Sequence, residues 1–179
     1  MEQNGVLVVQ KGNLAETFLQ WGKYFHISLE VTVKQVPQQM MNIFHFMTDD
    51  ENVKYPALWI TPDQKFYFEY AVYDYPNNHQ HSFELYKQYK LAIRKFEEDG
   101  IYKFQIAVNG DLVYESGAIE ADEVTSVKYY LSQPWSDAFT KEYGTVENVM
   151  IISDEGCEYQ DPKEGFKPSF SDLYNQNTY

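Results

Sequence analysis

Five residues carry side chains whose chemistry decides what to look for: His45, Trp59, Tyr67, Glu69 and Trp135. Trp and Tyr offer flat apolar rings with a polar handle, and His and Glu offer hydrogen-bonding groups. Together such residues can stack on the apolar face of a sugar ring and bond its hydroxyls. Spacing decides whether they act together, because neighbours in an extended chain point to opposite faces. If Phe44 and Phe46 face a core, then Ile43, His45 and Met47 face away from it. Likewise Trp59 and Thr61 oppose Leu58 and Ile60, and Tyr67 and Glu69 oppose Phe66, Phe68 and Tyr70. The outward sets would then share one concave face. The plainer reading is that these are ordinary half-exposed sheet residues, since single exposed aromatics need no purpose. Trp135 sits in Pro134-Trp135-Ser136-Asp137, a loop whose ring either packs against the chain or stacks on a ligand.

Other constellations offer less. Asp49-Asp50-Glu51-Asn52 clusters oxygens suited to a hard cation such as calcium, but it has neither the Gly nor the 12-residue spacing of an EF-hand loop. It reads equally as a solvated acidic turn. His79 and His81 follow Pro76-Asn77-Asn78 in what reads as a loop, with no Cys or carboxylate beside them to complete a zinc site. Cys157, the only cysteine, lies in an acidic stretch that would raise its pKa, which argues against a nucleophile and rules out an intrachain disulfide. No glycine-rich phosphate loop is present. A non-enzymatic protein is expected, with no catalytic residue and no certain cofactor, and with a polysaccharide-cleaving enzyme as the remaining alternative.

The elements that would position these groups are strands. From His26 to Lys34 apolar residues alternate with polar ones, the period of a half-buried strand. Similar stretches are Val6 to Gln10, Asn42 to Thr48, Ala57 to Thr61, Lys65 to Ala71, Lys90 to Lys95, Tyr102 to Val108, Leu112 to Ser116, Ser126 to Leu131 and Thr145 to Ser153. Asn109-Gly110 between two of them predicts a tight hairpin, because both central residues of that turn need positive φ. Pro62-Asp63, Pro76-Asn77-Asn78 and Asp99-Gly100 mark further reversals. No segment has the caps and 3.6-residue period of an amphipathic helix. Many short strands with one apolar face predict an all-β antiparallel two-sheet β-sandwich, or jelly roll, over residues 1–153, with a barrel as the alternative. Residues 154–179 lose the pattern and read as an acidic, aromatic-containing tail.

Composition narrows the partners. The 179 residues include 14 basic and 27 acidic ones, a net charge of −13 that repels a phosphate backbone, so no nucleic acid is expected. No run of about 18 apolar residues is present, so no membrane insertion is expected. Met1-Glu2-Gln3-Asn4-Gly5 shows no basic region followed by an apolar one. The expected setting is extracellular, as a mature chain without its signal peptide, with a cytoplasmic setting as the alternative. Sixteen tyrosines against 12 phenylalanines and three tryptophans suggest a Tyr-rich recognition surface or oligomer interface. That opens a second ligand class, an apolar small molecule such as a carotenoid. Exposed apolar sheet edges also make a homo-oligomer plausible.

The blocks Phe25-His-Ile-Ser-Leu-Glu-Val31, Asn42-Ile-Phe-His-Phe-Met-Thr48, Pro56-Ala-Leu-Trp-Ile60, Tyr102-Lys-Phe-Gln-Ile-Ala-Val-Asn-Gly110 and Gly144-Thr-Val-Glu-Asn-Val-Met-Ile151 resemble, in their order, the concanavalin A-like lectin and glucanase superfamily. They are most similar to its galectin and laminin-G-like animal jelly-roll domains. The resemblance spans residues 5 to 153 and implies a lectin-like sandwich whose ligand is a glycan. His45 matches the first residue of the galectin His-x-Asn-x-Arg run, but Met47 and Asp49 replace its Asn and Arg, and no Trp-Gly-x-Glu-x-Arg follows. The resemblance therefore implies the scaffold and its face without the galectin contacts. The superfamily's glucanases carry Glu-x-Asp-x-x-Glu, with a nucleophile and acid about 5 Å apart. Glu120-Ala-Asp122-Glu123 is the nearest run and lacks the third carboxylate.

Overall fold

Phe25, Ile27, Leu29, Val31 and Val33 are buried while the residues between them are only half-buried, so Phe25–Val33 is a strand with one dry face. That alternation recurs along the chain. The computed structural model describes residues 1–153 except 22, 49–52, 73–74 and 120–123. Among these it holds no helix and the strands β1 (Glu2–Val6), β2 (Asn13–Trp21), β3 (Phe25–Val33), β4 (Met41–Met47), β5 (Val53–Ile60), β6 (Lys65–Val72), β7 (Tyr75–Ser82), β8 (Gln88–Glu98), β9 (Ile101–Val108), β10 (Asp111–Glu115), β11 (Val124–Leu131), β12 (Asp137–Ala138) and β13 (Gly144–Ser153).

Two open sheets result. One has the order β1-β13-β3-β8-β9-β10, the other β2-β11-β4-β5-β6-β7 with β12 beside β4. Every pairing is antiparallel except that of β12 with β4. The molecule is a β-sandwich and not a barrel, because neither sheet closes on itself. Rings from the two inner faces meet between them: Tyr70 of β6 stacks on Phe104 of β9 at 4.8 Å, and Phe66 of β6 meets Tyr89 of β8 edge-on at 5.3 Å. Such pairs add about 0.5–1.5 kcal/mol each beyond the area they bury. Trp21, Phe46 and Tyr129 continue the aromatic core within the second sheet.

The turns follow local chemistry. Asn109-Gly110 joins β9 to β10 with φ of 54° and 91°, and Asp99-Gly100 joins β8 to β9 with φ of 53° and 78°. Both are the left-handed pairs that match the twist of a tight hairpin. Gly144 is needed for a different reason: a Cβ there would run into the Thr32 carbonyl oxygen and the Phe139 ring, where β13 meets β3.

Several sequence expectations are corrected. The first strand is Glu2–Val6, and residues 7–10 are not in a strand. Asn13–Trp21, not anticipated, is the edge strand β2. Pro76-Asn77-Asn78 is no reversal but part of β7, in register with Glu69-Tyr70-Ala71 of β6. It tolerates proline because β7 is an edge strand with one side unpaired. Ile43 does not face outward. A bulge between Asn42 and Phe44 breaks the alternation and sends Ile43 into the core. The expected tyrosine surface is partly consumed inside, since Tyr70, Tyr89 and Tyr129 are core residues. The tail at 154–179 with Cys157, the Asp49–Asn52 run and Glu120–Glu123 lie outside the described residues.

Candidate functional site

Register assembles the outer face of the second sheet into two rows that run across the strands. One row is Asn42, Trp59, Tyr67 and Gln80, successive partners on β4, β5, β6 and β7. The next is Tyr130, His45, Ala57, Glu69 and Asn78, from β11 through β7. Directly paired residues in an antiparallel sheet share a face. The rows are therefore two residues, or about 7 Å, apart along the strands. The inner face of β6 carries Phe66, Phe68 and Tyr70, all buried, which turns Tyr67 and Glu69 outward.

Four of the five sequence-nominated residues, His45, Trp59, Tyr67 and Glu69, are thus brought to one face. They are not equally accessible. His45 is only 8% exposed, so its ring braces the site from beneath; it meets Trp59 edge-on with centroids 6.3 Å apart. Trp59, Tyr67 and Glu69 are half-buried, and Asn78 and Gln80 beside them are exposed. The accessible part is therefore the β5–β7 half, with the β4 positions as its floor. Trp59 Nε1 is buried and has no hydrogen-bond partner among the described residues, although buried indole N–H groups ordinarily find one.

Asn78 and Gln80 were missed because their segment reads as a loop. The available signal was the alternation Asn78-His79-Gln80-His81-Ser82-Phe83, whose odd positions turn inward. His79 and His81 pair with Phe68 and Phe66, so both lie on the inner side of an edge strand and not in a loop. The His79 ring lies 5.4 Å from Tyr114 of the opposite sheet. Desolvation lowers both pKa values, with the neighbouring His81 adding to the effect on His79. Among the described residues no group of three His, Cys, Asp or Glu is placed to hold a metal.

The fifth residue, Trp135, is 64% exposed, so its ring does not pack under its own loop. That loop is nevertheless fixed to the site. Asn42 is fully buried; its amide donates to the Phe44 and Leu58 carbonyls at 2.9 and 3.2 Å, and its Oδ1 accepts from the Gln133 backbone N–H at 2.9 Å. The same side chain therefore holds the β4 bulge and tethers the loop at the head of the Trp59 row. β12 adds a second tether by pairing Asp137 with Met41, and Gln39 donates to the Asp137 carboxylate.

Lys65 bridges to Asp63 and donates to Gln80 Oε1 at 3.2 Å. Asp63 has its carboxyl pKa lowered by the hydrogen bond from Lys65 and then by that from Thr61. Thr61 itself is buried as the cap of the turn between β5 and β6, where it bonds Asp63 and Lys65. Lys128 belongs to the far side, opposite Met47 on β11.

The fold is shared with solved structures of low sequence similarity. The CBM40 of the Ruminococcus gnavus IT-sialidase, solved with α2,3-sialyllactose, superposes with a TM-score of 0.61 at 10% identity over 92% of this chain and 95% of that one. A heptameric SAP-like pentraxin from Limulus polyphemus gives 0.56 at 10% identity over 82% and 75%. Trypanosoma rangeli sialidase gives 0.56 at 14% identity over 79% of this chain but only 21% of its own. The chain therefore spans about a fifth of that enzyme. No protein-family model matches the sequence, and no curated protein matches it. The chain shares the two-sheet β-sandwich fold of these structures.

Proposed function

We propose that this is a non-enzymatic glycan-binding module whose ligand lies on the β5–β7 half of the second sheet's outer face. The observation that carries the reading is the row Trp59–Tyr67–Gln80, with Glu69 and Asn78 in the row beside it. Two half-exposed rings on adjacent strands supply a flat apolar platform. Two exposed amides and a carboxylate at its rim supply donors and acceptors for hydroxyl groups. His45, held edge-on to Trp59, positions the indole and is not itself a contact. The solved carbohydrate-binding module of matching length supports a binding role, and the sialidase likeness, limited to about a fifth of that chain, supports no catalytic one.

Intrinsic tryptophan fluorescence titrated with glycans tests the proposal. Sugar-dependent quenching should appear in the wild type and vanish in Trp59→Ala, with circular dichroism showing the fold retained. A folded wild-type protein that binds nothing on a broad glycan array would sink it.

A further inference from the structure

The edge strand β7 carries different chemistry on its two faces. Its outward positions, Asn78 and Gln80, are exposed and supply the rim of the proposed platform. Its inward positions, His79 and His81, lie opposite Phe68 and Phe66 of β6. Across the sandwich the His79 ring lies 5.4 Å from Tyr114 of β10, and its Nε2 is buried with no hydrogen-bond partner among the described residues. Apolar side chains ordinarily hold an edge strand to a core. Here two half-buried imidazoles take that place, and among the described residues the ladder to β6 is the only strand pairing β7 has.

A neutral imidazole suits such a place and an imidazolium does not. Protonated, His79 brings a charged donor to a buried atom without an acceptor, and His81, two residues or about 7 Å along the same face, brings a second positive charge. The groups that would answer those charges are engaged or directed elsewhere. On β10, Glu115 accepts from Gln105 and lies 3.4 Å from Lys103, on the other face of its sheet, and Asp111 is exposed at the hairpin. Glu84, in the turn after β7, bridges to Lys87, and Lys65, opposite Ser82, bridges to Asp63 on the outer side. Burial lowers the proton affinity of both imidazoles, the neighbouring His81 lowers that of His79 further, and no carboxylate opposes either effect.

Resting on the glycan reading above, we infer that β7 is an acid-sensitive latch: protonation of His79 and His81 loosens it from β6 and the core, Asn78 and Gln80 leave the platform with it, and glycan held at neutral pH is released on acidification. Both imidazoles bind protons less readily in the docked strand than at their ordinary pKa of 6.5. Below about pH 6.5 the loosened strand therefore binds more protons and gains population as pH falls. Pro76-Asn77-Asn78, poor strand formers, add little to resist it.

The experiment follows strand and ligand separately in the full chain. Hydrogen–deuterium exchange of peptides covering Tyr75–Ser82 is measured at pH 7.5 and 5.0, corrected for the intrinsic pH dependence of exchange, with β4 as the internal reference. Protection of β7 should fall at pH 5.0 while that of β4 holds. In His79→Gln/His81→Gln, shown folded by circular dichroism, the fall should disappear; if that variant does not fold, His79→Gln alone should reduce it. Tryptophan-fluorescence titrations with trisaccharides of glucose, galactose and N-acetylglucosamine should show binding several-fold weaker at pH 5.0 in the wild type and nearly equal at both pH values in the double variant. Unchanged β7 protection in the wild type, or acid loosening that persists in the double variant, would overturn the inference. Loosening with no change in affinity would overturn the release while leaving the glycan reading standing. Binding of none of the sugars at pH 7.5 would overturn the glycan reading and the release together, and the exchange data would still decide whether acid loosens β7.

Discussion

The two outer faces of this sandwich are built from the same kind of strand but carry different side chains. On the six-stranded sheet the polar side chains bond to one another. Gln88 and Asn148 both donate to Glu30 at 3.0 Å, Lys90 lies 3.6 Å from Glu30, Arg94 donates to Gln105, and Gln105 donates to Glu115. The seven-stranded sheet instead sets Trp59 and Tyr67 beside exposed amides. A face whose donors and acceptors answer each other across strands stabilises the sheet and offers little to a ligand. A face of flat rings with polar groups at the rim offers a ligand most of what it needs. The contrast is what supports the proposed binding face.

The largest effect should come from below both faces. Phe104 is buried against Tyr70 of the opposite sheet, and Phe104→Ala should cost about 3–5 kcal/mol in denaturant unfolding. A loss under about 1 kcal/mol would show that the sheets do not share this core. Next, Trp59→Ala should weaken glycan binding by about 2 kcal/mol, roughly thirtyfold by calorimetry, with little change in unfolding midpoint. Arg94→Gln should do the reverse, costing about 1–3 kcal/mol of stability as Gln105 loses its partner, with binding retained. If the two variants traded outcomes, the assignment of the faces would be inverted.

A smaller effect depends on pH. His26, paired with Arg94 across β3 and β8, has its pKa lowered to about 4, first by burial and then by the Arg94 charge. The folded state therefore holds this ring neutral while the unfolded chain protonates near its usual value. Between about pH 6.5 and 4 the unfolded state binds more protons, so stability falls as pH falls through that window. Melting curves of wild type and His26→Asn should converge in slope above pH 6.5 and diverge on acidification to pH 4.5, the variant being less sensitive. Parallel curves would show that His26 does not titrate this way. The smallest effect belongs to neither face: Lys87→Ala, which breaks the exposed ion pair with Glu84, should leave the melting temperature within measurement error.

Much of this architecture was legible because it is local. The alternation at Phe25–Val33, the Asn109-Gly110 turn and the inward Phe66, Phe68 and Tyr70 each follow from residues close in the chain. So did the outward placement of Trp59, Tyr67 and Glu69. What failed was non-local. Strand β7 looks like a loop because Pro76-Asn77-Asn78 has low strand propensity, and it becomes a strand only by pairing with β6. The Ile43 bulge depends on Asn42 reaching the Leu58 carbonyl and the Gln133 N–H, 16 and 91 residues away.

By itself, then, the sequence determined the period of the strands, the tight turns, the fold class and which side chains of β5 and β6 leave the core. The tertiary structure decided that His45 is buried, that Trp135 stands exposed, and that the exposed Asn78 and Gln80 lie beside Glu69 and Tyr67. It also placed Lys95 on the inner side of β8, 1% exposed and 5.7 Å from the Tyr102 ring. The physical reason is common to all four. A side chain's face is set by neighbours two residues away, but its burial and partners are set by register with strands distant in the chain.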